Sequence, residues 1–466
     1  MKSQLLSHFQ SKPLSIEERI AKGKALREKF PRIKLGDYTP PNKRADPVDV
    51  LQKQAKSRLP QLVPIRYARM LASPFAFLRG AAAIMAADLA KSQTSDIPVQ
   101  ASGDAHMANF GVFASAERNL IFGMNDFDET LEGPWEWDLK RLTTSVVVGG
   151  RFLGADEELC REAVMRCSKR YRKRMSEFAA MGYLELRYNS LNEKNILDML
   201  EGDARRGAEK MMKKARERTH MQVLGKLTDL VDEKYRLREN APFLVREKKS
   251  QAGRPIEEAI GLFLDSYLTS LSEDRKHLLK RYRIVDVARK VVGVGSVGTR
   301  CWVILLLGNH QDDPIFLQIK EAGSSVLEPY LQKTKYKNQG QRVVEGQRLI
   351  QAAPDIFLGW GEIDGIQFYV RQLRDMKGGV EFNPGQVNVR NLPQYAELCA
   401  WTLAQAHAKS GDAAMIAGYA GNSEELDEAM YKFSLAYAEQ NQKDFLKLKA
   451  AAKSGKIKVA GEEKQS

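Results

Sequence analysis

Apolar residues recur along this chain with two different periods. Over residues 139–235 the period is helical: Leu139, Leu142, Val146 and Val147 fall on one stripe, and Cys160, Val164 and Cys167 continue such a stripe downstream. The spacing predicts an almost wholly helical stretch there, with the two cysteines as core. At Tyr282 the texture changes. Residues 284–292 form a β-branched run, 301–307 a short apolar run and 315–322 a third, which predicts three strands with a turn at 308–314. Helical patterning returns at 341–348, 395–408 and 423–445, with a strand-like segment at 368–374. Before all this, residues 1–45 carry Pro13, Pro31, Pro40 and Pro41 and read as a mostly helical leader followed by a loop. Short helices are predicted over 46–58 and 81–91. Pro242 and Pro255 bracket a loop ahead of a helical stretch at 256–279, and the Lys-, Ala- and Gly-rich tail 447–466 is predicted to fray.

Composition adds bounds. The 466 residues suffice for two or three domains, or for one two-lobed unit with extensions, and 43% hydrophobic content provides for a core. An excess of 73 basic over 59 acidic residues, formally +14, permits anionic partners such as nucleotides, nucleic acid or acidic headgroups without choosing among them. Cys160, Cys167, Cys301 and Cys399 show no C-x-x-C pairing, so neither a disulfide framework nor a zinc site is suggested. Lys12, Glu17, Glu18 and Arg19 interrupt any signal-peptide core, and the longest apolar runs are far short of a membrane span. The expectation is a cytoplasmic protein without a membrane segment.

The chemistry concentrates between Ser102 and Leu142. Gly103-Asp104-Ala105-His106-Met107-Ala108-Asn109 and Asn125-Asp126-Phe127-Asp128-Glu129 flank a short apolar run, as two strands do whose ends meet in one cleft. Asp104 and Asn109 stand five apart, Asp126 follows seventeen later, and Asp138 lies beyond. Metal-assisted phosphoryl transfer needs this set: a carboxylate to orient the attacking hydroxyl, and an amide oxygen and second carboxylate for Mg²⁺. Taken singly, each acid is better read as a turn former or cap; the ordered set favours function. Arg66, Arg69 and Arg79 fall just ahead of it, and both surface pairing and phosphate contact stay open for them. The charged helix at 203–218 reads as a solvated face, with a nucleic-acid face as the lesser alternative.

Gly293-Val294-Gly295-Ser296-Val297-Gly298 joins two predicted strands. A dinucleotide fold needs a helix after such a loop, and no Walker A lysine motif is present. A glycine loop over a β-hairpin, with Lys320 on the third strand, is instead the phosphate-covering lobe of a kinase.

These motifs resemble the protein-kinase-like superfamily, nearest in style to the aminoglycoside and choline kinases, whose catalytic loop has the form G-D-x-H-x-x-N seen here as Gly103, Asp104, His106 and Asn109. Across most of its length the chain also resembles the uncharacterised bacterial family known as domain of unknown function 2252. The order departs from a kinase, because the acids at 104–128 precede the glycine loop at 293; a circular permutation accounts for that. Ser102 stands where kinases commonly have a bracing histidine. The tetrapeptide 102–105 recurs at 410–413, making Asp412 a rival acid, but Ala417 stands where its amide partner belongs.

The resemblance implies an α+β, two-lobed, permuted kinase-like fold with a helical lobe and a small antiparallel sheet lobe. Its parts would be an extension (1–60), a catalytic-loop lobe (61–280), a β-rich nucleotide lobe (281–375) and returning helices (376–466). Asp104 would orient or deprotonate the acceptor, with His106 in the same loop. Asn109 and Asp126 would bind Mg²⁺, with Asp128 as alternate or second-metal ligand. Lys320 would contact the ATP phosphates, held by Glu345, under Gly293, Gly295 and Gly298, while Asp138 would brace the catalytic loop. The expected activity is ATP- and Mg²⁺-dependent phosphoryl transfer to a small hydroxylated metabolite. AMP transfer, or a non-catalytic nucleotide-binding scaffold, are the alternatives. No zinc knuckle or aromatic RNA-binding motif supports a nucleic-acid partner.

Overall fold

The computed structural model describes residues 9, 11–218, 220–250, 252–291, 293–373 and 376–461. The segment ends assigned above to Val292 and Arg374, the first eight residues and 462–466 lie outside them.

The molecule is a mixed α+β protein built around the Trp135–Leu153 helix. Nearly every residue of that helix is buried, on all sides, as expected of a helix at the centre of a bundle. Glu157–Ala179, Leu392–Ser410 and Glu425–Lys453 pack around it. The stripe residues Leu139, Leu142, Val146, Val147, Cys160, Val164 and Cys167 are all buried in this core. Gly154, in a left-handed conformation with φ 92°, ends the central helix.

Two small antiparallel sheets cap one end of the bundle. Pro98–Ala101 pairs with Leu131–Pro134, and Phe110–Ala114 pairs with Leu120–Met124, which also takes Leu191–Asn192. The second large element is a six-stranded antiparallel sheet in the order Gly359–Ile363, Ile366–Gln372, Pro314–Glu321, Cys301–Leu307, Arg283–Lys290, Leu244–Val245. In its register Cys301 opposes Lys320 and Val303 opposes Gln318, while Trp302 opposes Ile319. Residues alternate between faces, so Lys320, Gln318, Cys301 and Val303 share one face and Trp302 and Ile319 the other. The Ile256–Thr269 helix covers the second face with Ile260, Phe263 and Tyr267.

Two expectations are corrected. Residues 228–237 are not helical: Thr228–Val231 and Lys234–Leu237 form a hairpin, turned by Asp232 and Glu233 at φ 48° and 60°. Alternating apolar positions across a two-residue turn with positive φ are a hairpin signature, which outweighed the helical context upstream. Residues 447–453 do not fray but extend the last helix to Lys453, because Leu448 is fully buried against Val48, Leu51 and Phe445. Among its described residues the leader is helical, as expected, and packs into the bundle. Its Ile16–Lys29 helix, with a capping box at Ser15 and Glu18, packs on Ala413–Ala420 at Gly23 and Gly418, where a Cβ on Gly23 would meet Met415 O at 2.0 Å.

Candidate active site

The Gly103–Asn109 loop leaves the Pro98–Ala101 strand and is shaped by its own backbone. Gly103 has φ +80°, and a Cβ there would meet Glu129 O at 2.4 Å, so this position requires glycine. Asp138, in the first turn of the central helix, accepts hydrogen bonds from Ser102 N (2.6 Å) and Gly103 N (3.0 Å). His407, from the end of the Leu392–Ser410 helix, lies 3.3 Å from Asp138 Oδ2 through Nε2, and its Nδ1 shares a 2.8 Å hydrogen bond with the Tyr171 hydroxyl. A carboxylate can only accept, which places the imidazole proton on Nε2. Chain segments from 102, 138, 171 and 407 thus meet under the loop.

Asp104 is held by Arg141, one helical turn beyond Asp138. The guanidinium donates to Oδ1 from Nε (2.9 Å) and Nη2 (2.7 Å), and Nη2 also donates to Leu78 O. Burial pushes the Asp104 carboxyl up to about 6 against the pull of Arg141, and the charge of Asp126 adds to the rise. Burial, with Arg79 and Arg141 nearby, holds His106 well below its ordinary value, so it is neutral at pH 7; its Nε2 is 3.8 Å from Asp104 Oδ2. Asn109 Nδ2 donates to Asp104 O (2.7 Å), which fixes the amide and leaves its oxygen as the side-chain acceptor.

Lys320 reaches this loop from the large sheet. Its ammonium lies 2.5 Å from Asp128 Oδ2 and 3.5 Å from Asp126 Oδ1, and its side chain is 3% exposed. Asp128 also accepts from Tyr369 Oη (2.7 Å) and Ser296 Oγ (3.0 Å). Lys320, followed by those hydrogen bonds, holds Asp128 well below the usual carboxylate range despite burial, and the two acids in turn hold Lys320 high. Ser296 belongs to the glycine loop, so that loop closes directly over the second acid. Asp104, His106, Asn109, Asp126, Gly293, Gly295, Lys320 and Arg371 line one cavity of about 100 Å³. A neighbouring one of about 40 Å³ shares Arg79, Asp104, Asp126, Gly295 and Ser296 with it. Gly298, at the end of the glycine loop, packs instead on the Arg58 side chain.

Two assigned roles do not match the geometry. Glu345 pairs with Arg348 (3.1 Å), not with Lys320. The helix Gln339–Ile350 turns its Arg342 and Gly346 toward the acid loop, with Arg342 donating to Asp128 O, Thr130 O and Gly323 O, while Glu345 is taken up by Arg348 on its own helix. Asp128 has its carboxylate engaged by Lys320, Tyr369 and Ser296, which leaves it poorly suited as a metal ligand in this arrangement. Among the described residues, no group of three His, Cys, Asp or Glu side chains is placed to hold a metal ion. Asp126 and the Asn109 oxygen, both on the larger cavity, remain a fitting pair for Mg²⁺, which needs only one or two protein oxygens beside phosphate and water. Asp412 caps the Ala413–Ala420 helix through Met415 N (3.0 Å) and pairs with Arg19 (3.2 Å), as a structural acid does.

Several participants were not singled out from the sequence: Arg141, Tyr369, Arg371, Gln318 and Glu129. Arg141 had a signal, its position three after Asp138 on one helix face. Tyr369 and Arg371 had a weaker one, alternation along a strand. Glu129 accepts from Val326 N (2.7 Å), and burial pushes it up to about 7.

A concavity of about 540 Å³ lies on the far face of the large sheet around Trp302, Ile319 and Phe368, away from these groups. The helix Gly202–Glu217 answers its three arginines with acids, Arg205 with Glu209, Arg206 with Asp203 and Arg216 with Glu193. Among the described residues no helix is long and apolar enough to cross a membrane.

Residues 58–451 match the family described as an uncharacterized protein conserved in bacteria (DUF2252). The chain belongs to the DUF2252 family. The match begins at Arg58 and ends within the last helix, so it takes in the acid loops, the glycine loop and Lys320 of this DUF2252 protein. No curated protein and no solved structure matches the chain.

Proposed function

We propose that this DUF2252 protein is an ATP- and Mg²⁺-dependent phosphotransferase acting on a small hydroxylated substrate, on a circularly permuted protein-kinase-like fold. One observation carries the reading. Lys320, more than two hundred residues after Asp104 in the chain, lines the same cavity as Asp104, Asn109 and Asp126, beneath a glycine loop. A surface lysine or an ordinary turn has no reason to converge on a half-buried acid set.

In this reading Lys320 and Arg371 neutralise donor phosphates, and the glycine loop brings backbone N–H groups onto them. Asp104, with a carboxyl near pKa 6, is poised to accept the acceptor's proton close to neutral pH. The acceptor oxygen bonds to the γ-phosphorus as the β–γ bridging bond breaks; the hydroxyl proton goes to Asp104 and ADP leaves. Mg²⁺ held by Asn109 and Asp126 would supply charge neutralisation on the phosphate oxygens. Lys320 is paired to Asp128 without help from Glu345, so its positioning differs from the lysine–helix glutamate pair of protein kinases.

The cavity of about 100 Å³ takes phosphate groups, and is smaller than the ~300–1,000 Å³ of whole-ligand sites. On the Lys320 face of the sheet the next positions, Ala288, Val303, Leu305 and Phe316, are covered by Val223, Leu224 and Leu237. A base lying along this face requires that cover to move.

The test is product analysis. Incubation of the protein with Mg²⁺, ATP and a metabolite extract is expected to yield ADP and a phosphorylated product. AMP or pyrophosphate would mean nucleotidyl transfer. Stabilisation by ATP that is equal with and without divalent metal would remove Asp126 as a ligand, since a ligand raises the melting temperature only through the site it binds.

A further inference from the structure

Three arginines from the segments ahead of the acid loops wall the smaller cavity: Arg58, Arg66 and Arg79. Arg66, on the Val63–Leu71 helix, is 1% exposed. Its Nη2 donates to Gln54 Oε1 and Gly80 O, both at 3.0 Å, but Nε and Nη1 have no partner. Arg79, at the end of the Pro74–Gly80 helix, leaves its buried Nε without a partner. Arg58 donates to Val297 O at the glycine loop (2.5 Å). Among the described residues none of the three has a carboxylate within ion-pair distance, whereas Arg141 and Lys320 each do.

A buried guanidinium without full hydrogen bonding, as at Arg66, is costly, and the half-buried Arg58 and Arg79 line the same small cavity. Burial, then the charge of Arg58, pushes Arg66 down to about 9, and burial lowers Arg58 and Arg79 as well, against the pull of Glu129 on Arg66 and Arg58 and of Asp104 on Arg79. Holding the Val63–Leu71 and Pro74–Gly80 helices together explains Arg66 Nη2 alone. The arginines also sit at a defined place. Arg79, Asp104 and Asp126 line both cavities, with Lys320 and Arg371 in the larger and Arg58, Arg66, Asp128 and Glu129 in the smaller, where Asp104 is held by Arg141 and Asp128 by Lys320. Asp104 therefore stands between a donor-phosphate end and an arginine end.

We propose that the Arg58–Arg66–Arg79 pocket binds a phosphate group of the acceptor, so that the substrate is a compact hydroxylated phosphate monoester. The inference rests on the phosphotransferase reading for the word acceptor; the anion site itself does not. Guanidinium forks arriving from three segments suit a tetrahedral oxyanion with several acceptor oxygens better than a planar carboxylate, which one fork satisfies. A volume of about 40 Å³, with Asp104 on its wall, keeps phosphate and reacting hydroxyl only a few bonds apart.

Inorganic phosphate is the probe, titrated into the full chain without nucleotide or divalent metal at constant ionic strength, with binding followed by calorimetry and melting temperature. Saturable binding is expected, weakened at least tenfold in Arg58→Gln and Arg79→Gln, with acetate giving no response. Lys320→Met should keep the phosphate response while losing that to Mg·ATP. Arg79→Lys, which retains charge but not the fork, should lie between and guards against a folding defect in the glutamine variants. An unchanged affinity in both arginine variants overturns the site, as does an equal acetate response. Loss of phosphate binding only in Lys320→Met would put phosphate at the donor end and also overturn it. Arginine-dependent phosphate binding with no response to Mg·ATP would uphold the anion site and remove the phosphotransferase reading, so the two fail separately.

Discussion

Asp104 combines burial, a fixed partner in Arg141 and a carboxyl near pKa 6. If it is the general base, only its ionised form works, so kcat/KM should rise tenfold per pH unit below about 6 and level off above, reporting the free enzyme. Asp104→Asn should abolish this limb and lower turnover on the order of a hundredfold or more, with ATP affinity nearly unchanged. Asp412→Asn, in the other Ser-Gly-Asp-Ala copy, should leave turnover alone, because its carboxylate caps a helix and pairs with Arg19. Asparagine is itself a good cap, so its melting temperature should change little. Steady-state rates of the two variants across pH 5–8 decide between the copies.

At the scale of elements, the Pro314–Glu321 strand delivers Lys320 and the Gln339–Ile350 helix delivers Arg342, not Glu345, to the acid loop. Lys320→Ala removes the cation from Asp128, which keeps only Tyr369 and Ser296; a loss of about 3 kcal/mol, the lower end for breaking a buried pair, is expected in urea unfolding. Glu345→Gln touches only Arg348 on a partly exposed surface and should stay within about 0.5 kcal/mol with nucleotide affinity intact. A large loss of ATP affinity in Glu345→Gln would restore the kinase-like pairing. The cover formed by the His220–Leu227 helix and the following hairpin makes a further prediction. Leu224→Ala should lower the melting temperature without ligand yet tighten ATP binding severalfold, because apparent affinity scales with the fraction of open molecules. Unchanged or weaker binding by calorimetry would mean the cover does not compete with the nucleotide.

At the scale of the whole molecule, the Ile16–Lys29 and Glu425–Lys453 helices are built into the bundle. The leader helix lies on Ala413–Ala420 with no space at Gly23, so Gly23→Ala must push the two helices apart. A destabilisation of about 1–3 kcal/mol is expected, the usual range for overpacking, against the gain of a few tenths that Ala brings to an exposed helix. Removing residues 1–57, which precede the family match, should likewise lower the melting temperature although the acid loops are untouched. Equal melting temperatures by calorimetry would show the leader to be dispensable.

Read from sequence, helical and β-branched periods located three of the six strands of the large sheet and the helices at 339–350 and 392–410 to within a few residues and put most of the central helix inside one long helical stretch, because each is a local consequence of which face is apolar. The acid set was legible for the same reason: Asp104, Asn109 and Asp126 lie within one short stretch whose glycine and loop geometry are local. Tertiary structure alone decided the partners. Whether Lys320 meets Glu345 or Asp128, whether Glu345 or Arg342 faces the acids, and that Arg141 grips Asp104 depend on the rotation of a helix or the register of a strand against a distant segment. A one-residue change in either turns a side chain to another face while leaving composition and period intact. The same holds for the arginine pocket, whose three residues come from separate segments and meet only when these pack beside the glycine loop.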